Sequence, residues 1–325
     1  MTANELLSAR DDEAARDHDG AARDHDGAAR DHEVEAAEGE ASAGLTPSRY
    51  DEMADGYARF WAPVLRESAE RVLEHLEPAV EAALTKHLSG GGEPARLLDV
   101  GSGTGTLALA AIRRWPGLHV TGIDPSSGML EVARRTAAAL APEAASRFQP
   151  VVAYADELPE DLGPFDAAMS SFVLQLVPSR AGALREVRRV LAPGGTFAWV
   201  TWQQSDRAFE PDRVANAVLD EFGFDPPEPD SRPGDVASPA AAALAMRRAG
   251  FRNATAWSRE LTYAWDPKGY LEFLTDFDEA SLFDDLEPDE RARIEARILA
   301  GLERLTDEQR TLRLPIVYAM GTNPG

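Results

Sequence analysis

The central part of the chain alternates short apolar runs with stretches of helical spacing. The runs with strand character are Leu97–Val100, His119–Ile123, Phe148–Val152, Phe165–Ser170 and Thr196–Trp202. The helical stretches between them are Gly105–Trp115, Gly128–Leu140 and Ala181–Leu191. Strands that alternate with helices form a mostly parallel sheet with helices on both faces. The pattern therefore predicts an α/β fold.

Helical spacing also precedes the first strand, over residues 45–92. Ordered structure is predicted to begin near Pro47, because proline suits the first turn of a helix, and a second helix is predicted from Pro63. The aromatic residues that share one face of the first helix are Tyr50, Tyr57 and Trp61. This segment is predicted to form a helical region ahead of the sheet.

The alternation of strands and helices ends after Trp202, and residues 203–238 are rich in proline and acidic residues. Helices are predicted at Asp212–Phe222, at Pro239–Ala249 and within the acidic residues 267–310. Two further strands are predicted at Phe251–Trp265 and Leu312–Met320. Proline cannot donate to a sheet, so Pro315 is expected to mark an edge strand or a bulge.

Composition narrows the class of protein. The 325 residues are 44% hydrophobic, contain no cysteine and carry a formal charge of −23. Phosphate backbones are bound by Lys and Arg, so nucleic acid is not expected as a partner. No apolar run reaches the length of a membrane span, and the first residues do not read as a secretory signal. A cytoplasmic protein without membrane contact is expected.

The first 44 residues are predicted to be a disordered acidic repeat tail. The repeat Arg-Asp-His-Asp-Gly-Ala-Ala recurs every seven residues but lacks the apolar pair of a coiled coil. Low hydrophobicity with excess acid favours disorder. Weak metal binding by His18, His25 and His32 is the alternative to a solvated tail, which is preferred, and no metal site is predicted.

The segment that carries chemistry is a glycine-rich loop between a strand and a helix. Asp99 precedes Gly101, Gly103 and Gly105, and the next strand ends at Asp124, 23 residues after Gly101. Glycines let a ligand approach the backbone, and a carboxylate at the end of the second strand can bind both hydroxyls of a ribose. This much fits either a nicotinamide dinucleotide or S-adenosylmethionine.

Two features separate these ligands. Asp99 would repel a pyrophosphate, whereas it would attract the ammonium group of a methionine moiety. The two C-terminal strands can form an antiparallel pair that closes the sheet, whereas a dinucleotide enzyme would more often continue with parallel units. S-adenosylmethionine is therefore the preferred cofactor.

Residues 96–202 resemble a class I S-adenosylmethionine-dependent methyltransferase of the ubiquinone/menaquinone-biosynthesis-like group, also called methyltransferase type 11. The resemblance rests on LLDVGSGTGTLAL, VTGIDPSSGMLEVAR and FDAAMSSFVLQLVPSRAGALREVRRVLAPGGTFAWVTW. It implies a Rossmann-like, seven-stranded, mostly parallel sheet ordered 3-2-1-4-5-7-6, with the last strand antiparallel. It divides residues 45–325 into a helical lid (45–92), a cofactor-binding core (93–202), and cap insertions with closing strands (203–325).

The resemblance also assigns roles to individual residues. Gly101 and Gly103 are expected to face the cofactor, Asp124 to hold the ribose and Met129 to pack near the adenine. The full set of expected cofactor residues is Asp99, Gly101, Ser102, Gly103, Asp124, Pro125, Met129, Tyr154, Ala155, Asp156, Ser171, Phe172, Tyr50 and Tyr57.

One position departs from the family pattern. Where the family often has an aspartate that binds the adenine amine, this chain has Tyr154. Asp156 can substitute after a small shift, or Tyr154 can stack on or bond to the adenine, and the backbone N–H of Ala155 is available in either case. Phe172 is expected to wall the methyl-transfer pocket, with a place in the ordinary core as its alternative.

The expected reaction is methyl transfer to a small organic molecule, such as a quinone precursor or a secondary metabolite. No histidine follows His119, so a histidine base is not expected unless His75 or His87 folds over the site, and no catalytic residue is assigned. Aromatic residues that can line an apolar substrate pocket, or simply fill the core, are Trp202, Tyr263, Trp265, Phe273, Phe277 and Phe283. The alternatives are a nicotinamide-dependent oxidoreductase and a non-catalytic cofactor-binding module.

Overall fold

The computed structural model describes residues 47–90, 93–224 and 234–325. The acidic repeat predicted to be a tail, with its three histidines, lies outside the described residues. None of the helices within the described ranges combines the length and apolar character that a membrane span requires.

Seven strands form one sheet. They are β1 (Arg96–Val100), β2 (His119–Asp124), β3 (Phe148–Val152), β4 (Phe165–Ser171), β5 (Leu191–Trp202), β6 (Arg252–Ala264) and β7 (Thr311–Thr322). Their order is β3-β2-β1-β4-β5-β7-β6. The first five strands are parallel, and β7 is antiparallel to both of its neighbours. The predicted fold class, strand order and antiparallel last strand are confirmed.

Helices cover both faces of this sheet. They are α1 (Pro47–Gly56), α2 (Ala62–Gly90), α3 (Thr106–Arg114), α4 (Ser127–Leu140), α5 (Pro142–Arg147), α6 (Arg180–Val190), α7 (Glu210–Glu221), α8 (Pro239–Arg248), α9 (Pro267–Phe273), α10 (Ala280–Asp284) and α11 (Pro288–Leu302). Two π-helical turns, Tyr57–Trp61 and Leu274–Asp278, interrupt the lid and the cap. The predicted start of a second helix at Pro63 is confirmed within one residue, and the short helix α5 was not predicted.

Alternation along β1 decides which side chains reach which face. Leu97 belongs to the core on the side of α2 and α3, whereas Leu98 and Val100 belong to the core on the side of α6 and α8. Successive side chains of a strand point to opposite faces, so Asp99 lies on the face of Leu97. It is 1% exposed there, at the carboxyl end of the strand.

The expectation for Pro315 is wrong. Its strand, β7, lies between β5 and β6, and its pairing with Glu260 of β6 continues without a bulge. The Pro315 carbonyl accepts a hydrogen bond from the Gln203 N–H at 3.0 Å, one residue beyond the last residue of β5. The N–H and C=O of one antiparallel residue face the same neighbour. The missing N–H therefore faces Gln203, so the proline omits a bond only at the end of the β5–β7 ladder.

Candidate functional site

The glycine-rich loop between β1 and α3 is fixed to the end of β2. The Ser102 N–H donates to the Ile123 carbonyl at 2.8 Å, and the Ser102 hydroxyl donates to Asp99 at 3.0 Å. A Cβ added at Gly122 would lie 2.6 Å from the Ser102 hydroxyl oxygen, so the loop packs directly on the β2 backbone. Ser102 is buried and supports the loop with both its side chain and its backbone.

The three loop glycines have positive φ values but face different surroundings. A Cβ at Gly101 would lie 2.2 Å from the Val173 side chain, and one at Gly105 would lie 2.8 Å from the Cβ of Ala133. A Cβ at Gly103, where φ is +52°, would have no atom within 4 Å. Gly101 and Gly105 therefore permit close packing within the protein, and Gly103 is the glycine of the three whose missing side chain leaves space for a ligand.

Asp124 ends β2 directly beside this space. Its two carboxylate oxygens accept hydrogen bonds from the backbone N–H groups of Gly103 and Ser126, both at 2.9 Å. Burial raises the pKa of Asp124, while the two hydrogen bonds act in the opposite direction. The next residue, Pro125, is half-buried and leads to Ser126, the N-cap of α4. The carboxylate is thus held in place by the loop and by the start of α4.

Asp99 is a second acid beneath the loop. Burial raises its pKa to about 7, although a hydrogen bond from Ser102 and one from the backbone of Ala108 lower it. The negative charge of Asp124 adds to the increase. A nearby cation such as an ammonium group would stabilise the ionised form of this buried carboxyl group.

The lid packs on α4 close to Asp124. Ala54 joins Met129 and Val132 in a small core, against which Tyr50 and Tyr57 are packed. Burial raises the pKa of Tyr57, and the charges of Tyr50 and Asp124 add to this increase. Met129 is 3% exposed beneath the lid. The sequence-predicted residues of the lid and of α4 are therefore brought together.

The residues after β3 are divided between the surface and the interior. The Tyr154 side chain is 50% exposed, whereas Ala155 is buried. The Cβ of Asp156 lies 3.2 Å from the position that a Cβ on Gly182 would take, so Asp156 packs against the first turn of α6. Of the two side chains considered as a replacement for the family aspartate, Tyr154 is the one on an open surface.

At the end of β4 the backbone turns sharply at Phe172, where φ is +54°. A bulky residue in this region of φ is strained, and such strain accumulates at functional sites. Phe172 follows the half-buried Ser171, donates its N–H to the Val200 carbonyl at 2.8 Å and is 5% exposed. Its ring centroid lies 4.4 Å from that of Trp202. Phe172 is therefore a core residue that lies at the carboxyl edge of the sheet.

The aromatic residues considered for a substrate pocket pack mainly on one another. Trp202, Trp265, Phe273 and Phe283 are at most 8% exposed in the main core. Trp61 of the lid stacks on Phe273 with a centroid distance of 5.6 Å. The lid and the cap therefore meet through stacked aromatic rings.

The two histidines of the lid do not approach the carboxyl edge of the sheet. His75 packs edge-on against Trp257, 4.5 Å away, on the β6–β7 side. His87 lies near the Glu93 carbonyl, 3.0 Å from its Nδ1. Within the part of the chain that the structure describes, no group of acidic and histidine side chains has the arrangement of a metal site.

Sequence reasoning missed Asp51 as a site residue. Its carboxylate accepts hydrogen bonds from the Ser126 hydroxyl and the Gly128 N–H, both at 2.6 Å. These partners follow Asp51 by 75 and 77 residues. The chain signals the contact only through the position of Asp51 directly after Tyr50, so tertiary structure was needed to find it.

Residues 97–195 match the model of a family described as a methyltransferase domain. A malonyl-(acyl-carrier protein) O-methyltransferase from Geobacter sulfurreducens is 39% identical to this chain over 124 residues, which cover 37% of this chain and 43% of that protein. A demethylmenaquinone methyltransferase from Thermus thermophilus is 42% identical over 117 residues, covering 36% and 49%. The chain thus spans somewhat less than half the length of these two relatives.

The solved structures to which this chain is similar include a phosphoethanolamine N-methyltransferase from Haemonchus contortus in complex with S-adenosyl-L-methionine. It is 18% identical, with a TM-score of 0.42, over 75% of this chain and 52% of that one. Together with the sheet order, the match over residues 97–195 shows a class I S-adenosylmethionine-dependent methyltransferase domain, which is similar to the ubiquinone/menaquinone-like group. The resemblance stated from the sequence is confirmed.

Proposed function

We propose that this protein binds S-adenosylmethionine on the glycine loop and transfers its methyl group to a small organic molecule. The observation that carries the proposal is the open face of Gly103 directly beside the fixed carboxylate of Asp124. A ribose with two hydroxyl donors fits a carboxylate at this point of an α/β sheet. The space at Gly103 lets the ligand approach the loop backbone.

The other residues are assigned to the methionine, adenine and ribose parts of the cofactor. Asp99 lies beneath the loop, where its charge would attract the ammonium group of the methionine moiety. Tyr154 offers an exposed ring to the adenine, and the Ala155 N–H is a further donor to it. Ser171 and Phe172 border the methionine end, while Tyr50 and Tyr57 cover the ribose from the lid. The remaining members of the proposed site are Gly101, Ser102, Pro125, Met129 and Asp156.

When bound, the cofactor supplies a methyl group on a sulfonium. Transfer of this methyl group to the acceptor would leave the cofactor as a neutral thioether. The acceptor's proton, where it has one, passes to water or to an acidic side chain. The protein's part is to align the acceptor with the methyl group and to exclude water. The aromatic contacts between lid and cap suit the second task.

The substrate class follows from charge and from the relatives. A chain of net charge −23 is a poor partner for nucleic acid. The relatives named above include a demethylmenaquinone methyltransferase, which supports a quinone precursor or another small metabolite as the acceptor. We also propose a cytoplasmic location, in keeping with the absence of cysteine. Residues 45–325 then form one methyltransferase domain, with the lid, core and cap boundaries predicted above.

Calorimetry of the full chain with S-adenosylhomocysteine and with NAD tests the cofactor. The proposal expects saturable binding of S-adenosylhomocysteine at one site and no binding of NAD. Binding of NAD alone would instead support an oxidoreductase. A screen of small acceptors with methyl-labelled S-adenosylmethionine then tests the reaction, and cofactor binding without transfer to any acceptor would favour the non-catalytic module.

A further inference from the structure

One side chain of the lid forms two hydrogen bonds with the N-terminal end of α4. Asp51 of α1 accepts hydrogen bonds from the Gly128 N–H and the Ser126 hydroxyl, both at 2.6 Å. The first N–H groups of a helix have no partner within the helix. Ser126 caps one of them, because its hydroxyl oxygen accepts from the Met129 N–H at 3.0 Å. Asp51 satisfies the N–H of Gly128, so the lid completes the cap of α4.

Gly128 allows α1 to come this close. A Cβ at Gly128 would lie 2.8 Å from the Cα of Asp51 and 2.9 Å from its carboxylate oxygen. The first of these contacts is with backbone, which cannot move aside as a flexible side chain can. Gly128 is the second residue of α4, where any residue can take the helical conformation. The missing side chain at this position therefore serves the approach of the lid.

The same cap also holds the proposed ribose carboxylate. The Ser126 N–H donates to Asp124 at 2.9 Å, while its hydroxyl donates to Asp51. One residue therefore connects the lid carboxylate with the site carboxylate. Beyond this contact, Tyr57 packs on the small core of Ala54 and Met129, and Met129 lies in the first turn of the helix that follows Asp124. The position of the phenol ring thus depends on where α1 is docked.

We propose that Asp51 is a positioning residue that latches α1 onto the first turn of α4 and so holds Tyr50 and Tyr57 over Asp124. The identity of the ligand beneath the lid rests on the proposed function. In the latched form the lid covers the ribose position, so the cofactor and its product exchange when the latch opens. Asp51 acts on the ligand through Tyr50, Tyr57 and Ser126.

The latch is tested first without ligand, by hydrogen exchange of the full chain. Asp51→Ala and Gly128→Ala are expected to speed exchange of amides in residues 47–61, the first by removing the carboxylate and the second by pushing α1 away. Glu52→Gln is the matched control, because Glu52 is the exposed acidic neighbour of Asp51 on the same helix. Unchanged protection in both test variants would overturn the latch, whether or not the protein binds S-adenosylhomocysteine.

The second readout is the dissociation rate of S-adenosylhomocysteine, measured by stopped-flow displacement. Asp51→Ala is expected to raise this rate about tenfold, because hydrogen bonds to a charged group are lost from the closed form. Asp51→Asn, whose amide oxygen still accepts both hydrogen bonds, should recover part of the loss, and Glu52→Gln should match the wild type. Faster exchange with an unchanged dissociation rate would overturn the role of Asp51 in holding the ligand. Failure of the wild type to bind the probe would instead refute the proposed function.

Discussion

The backbone N–H of Gly103 donates a hydrogen bond of 2.9 Å to a carboxylate oxygen of Asp124. This bond joins the tip of the loop after β1 to the end of β2, the two elements expected to hold one nucleoside. The second oxygen of Asp124 is held by the Ser126 N–H. Hydrogen bonds within the protein therefore hold the loop, the carboxylate and the start of α4 together, which reduces the cost of ordering them on binding.

Removal of the Asp124 carboxylate should weaken cofactor binding strongly. We expect Asp124→Ala to reduce the affinity for S-adenosylhomocysteine about thirtyfold or more, or about 2 kcal/mol, through loss of charge-assisted hydrogen bonds. Calorimetry measures this directly. Unchanged affinity would refute the ribose assignment.

A matched control for this variant exists at the opposite edge of the sheet. Asp166 of β4 also accepts a backbone N–H at 2.9 Å, from Arg96 at the start of β1. Asp166→Ala removes the same kind of bond far from the loop. It should lower the melting temperature while leaving S-adenosylhomocysteine affinity as in the wild type. An equal loss of affinity in both variants would mean that general destabilisation explains the result.

The fold was predictable from the sequence because periodicity reports burial. Alternation in β1 and β2 and the loop between them placed Asp99, Gly103 and Asp124 at one edge. The contacts that cross between distant segments left no such pattern. The contact between Asp51 and Gly128 is one example. The contact between Gly101 and Val173 is another, because the sequence assigned Gly101 to the cofactor whereas its Cβ position faces a side chain of the protein. Pro315 was misjudged because strand order, rather than composition, decides which donors a sheet needs.

Asp99 should make stability and affinity depend on pH. Burial raises its pKa to about 7 in the free protein, well above the value of about 3.9 for an unfolded chain. The folded state therefore binds the proton more tightly, and this stabilisation is lost as pH rises through about 7. Chemical denaturation should give a lower free energy of unfolding at about pH 8 than at about pH 6, and Asp99→Asn should reduce this difference.

The affinity for the cofactor should depend on pH in the opposite direction, through the same residue, Asp99. A bound ammonium group favours the ionised carboxylate, so binding of S-adenosylhomocysteine should release a proton and become tighter between about pH 6 and about pH 7.5. Asp99→Asn should flatten this rise, because it cannot ionise. Parallel curves for the variant and the wild type would contradict the ammonium assignment.

Tyr154 should contribute to binding without contributing to stability. The side chain is half exposed, so Tyr154→Ala should leave the melting temperature nearly unchanged. If the ring stacks on the adenine, the same variant should weaken S-adenosylhomocysteine binding by about 1–3 kcal/mol. Tyr154→Phe separates stacking, which it keeps, from hydrogen bonding, which it loses. Wild-type affinity in Tyr154→Ala would exclude both roles.

At Gly56, where the lid contacts the cap, helix propensity and packing predict opposite effects of an alanine substitution on stability. Replacing a helical glycine with alanine ordinarily stabilises by about 1 kcal/mol. A Cβ at Gly56, however, would lie 2.8 Å from the Phe277 ring. We therefore expect Gly56→Ala to destabilise the wild type but to stabilise a Phe277→Ala background, as a double-mutant cycle in urea would measure. Equal effects in both backgrounds would mean that lid and cap do not meet there.

The central claim is that the ligand occupies the space at Gly103, and one calorimetric comparison tests it most directly. Gly103 and Gly194 both have positive φ, +52° and +82°, and a Cβ at either would have no atom within 4 Å. Gly194 lies near the start of β5, away from the carboxyl edge of the sheet. Alanine at either position should cause comparable backbone strain. The account predicts that Gly103→Ala weakens S-adenosylhomocysteine binding about tenfold or more while Gly194→Ala binds as the wild type; equal affinities in all three proteins would contradict it.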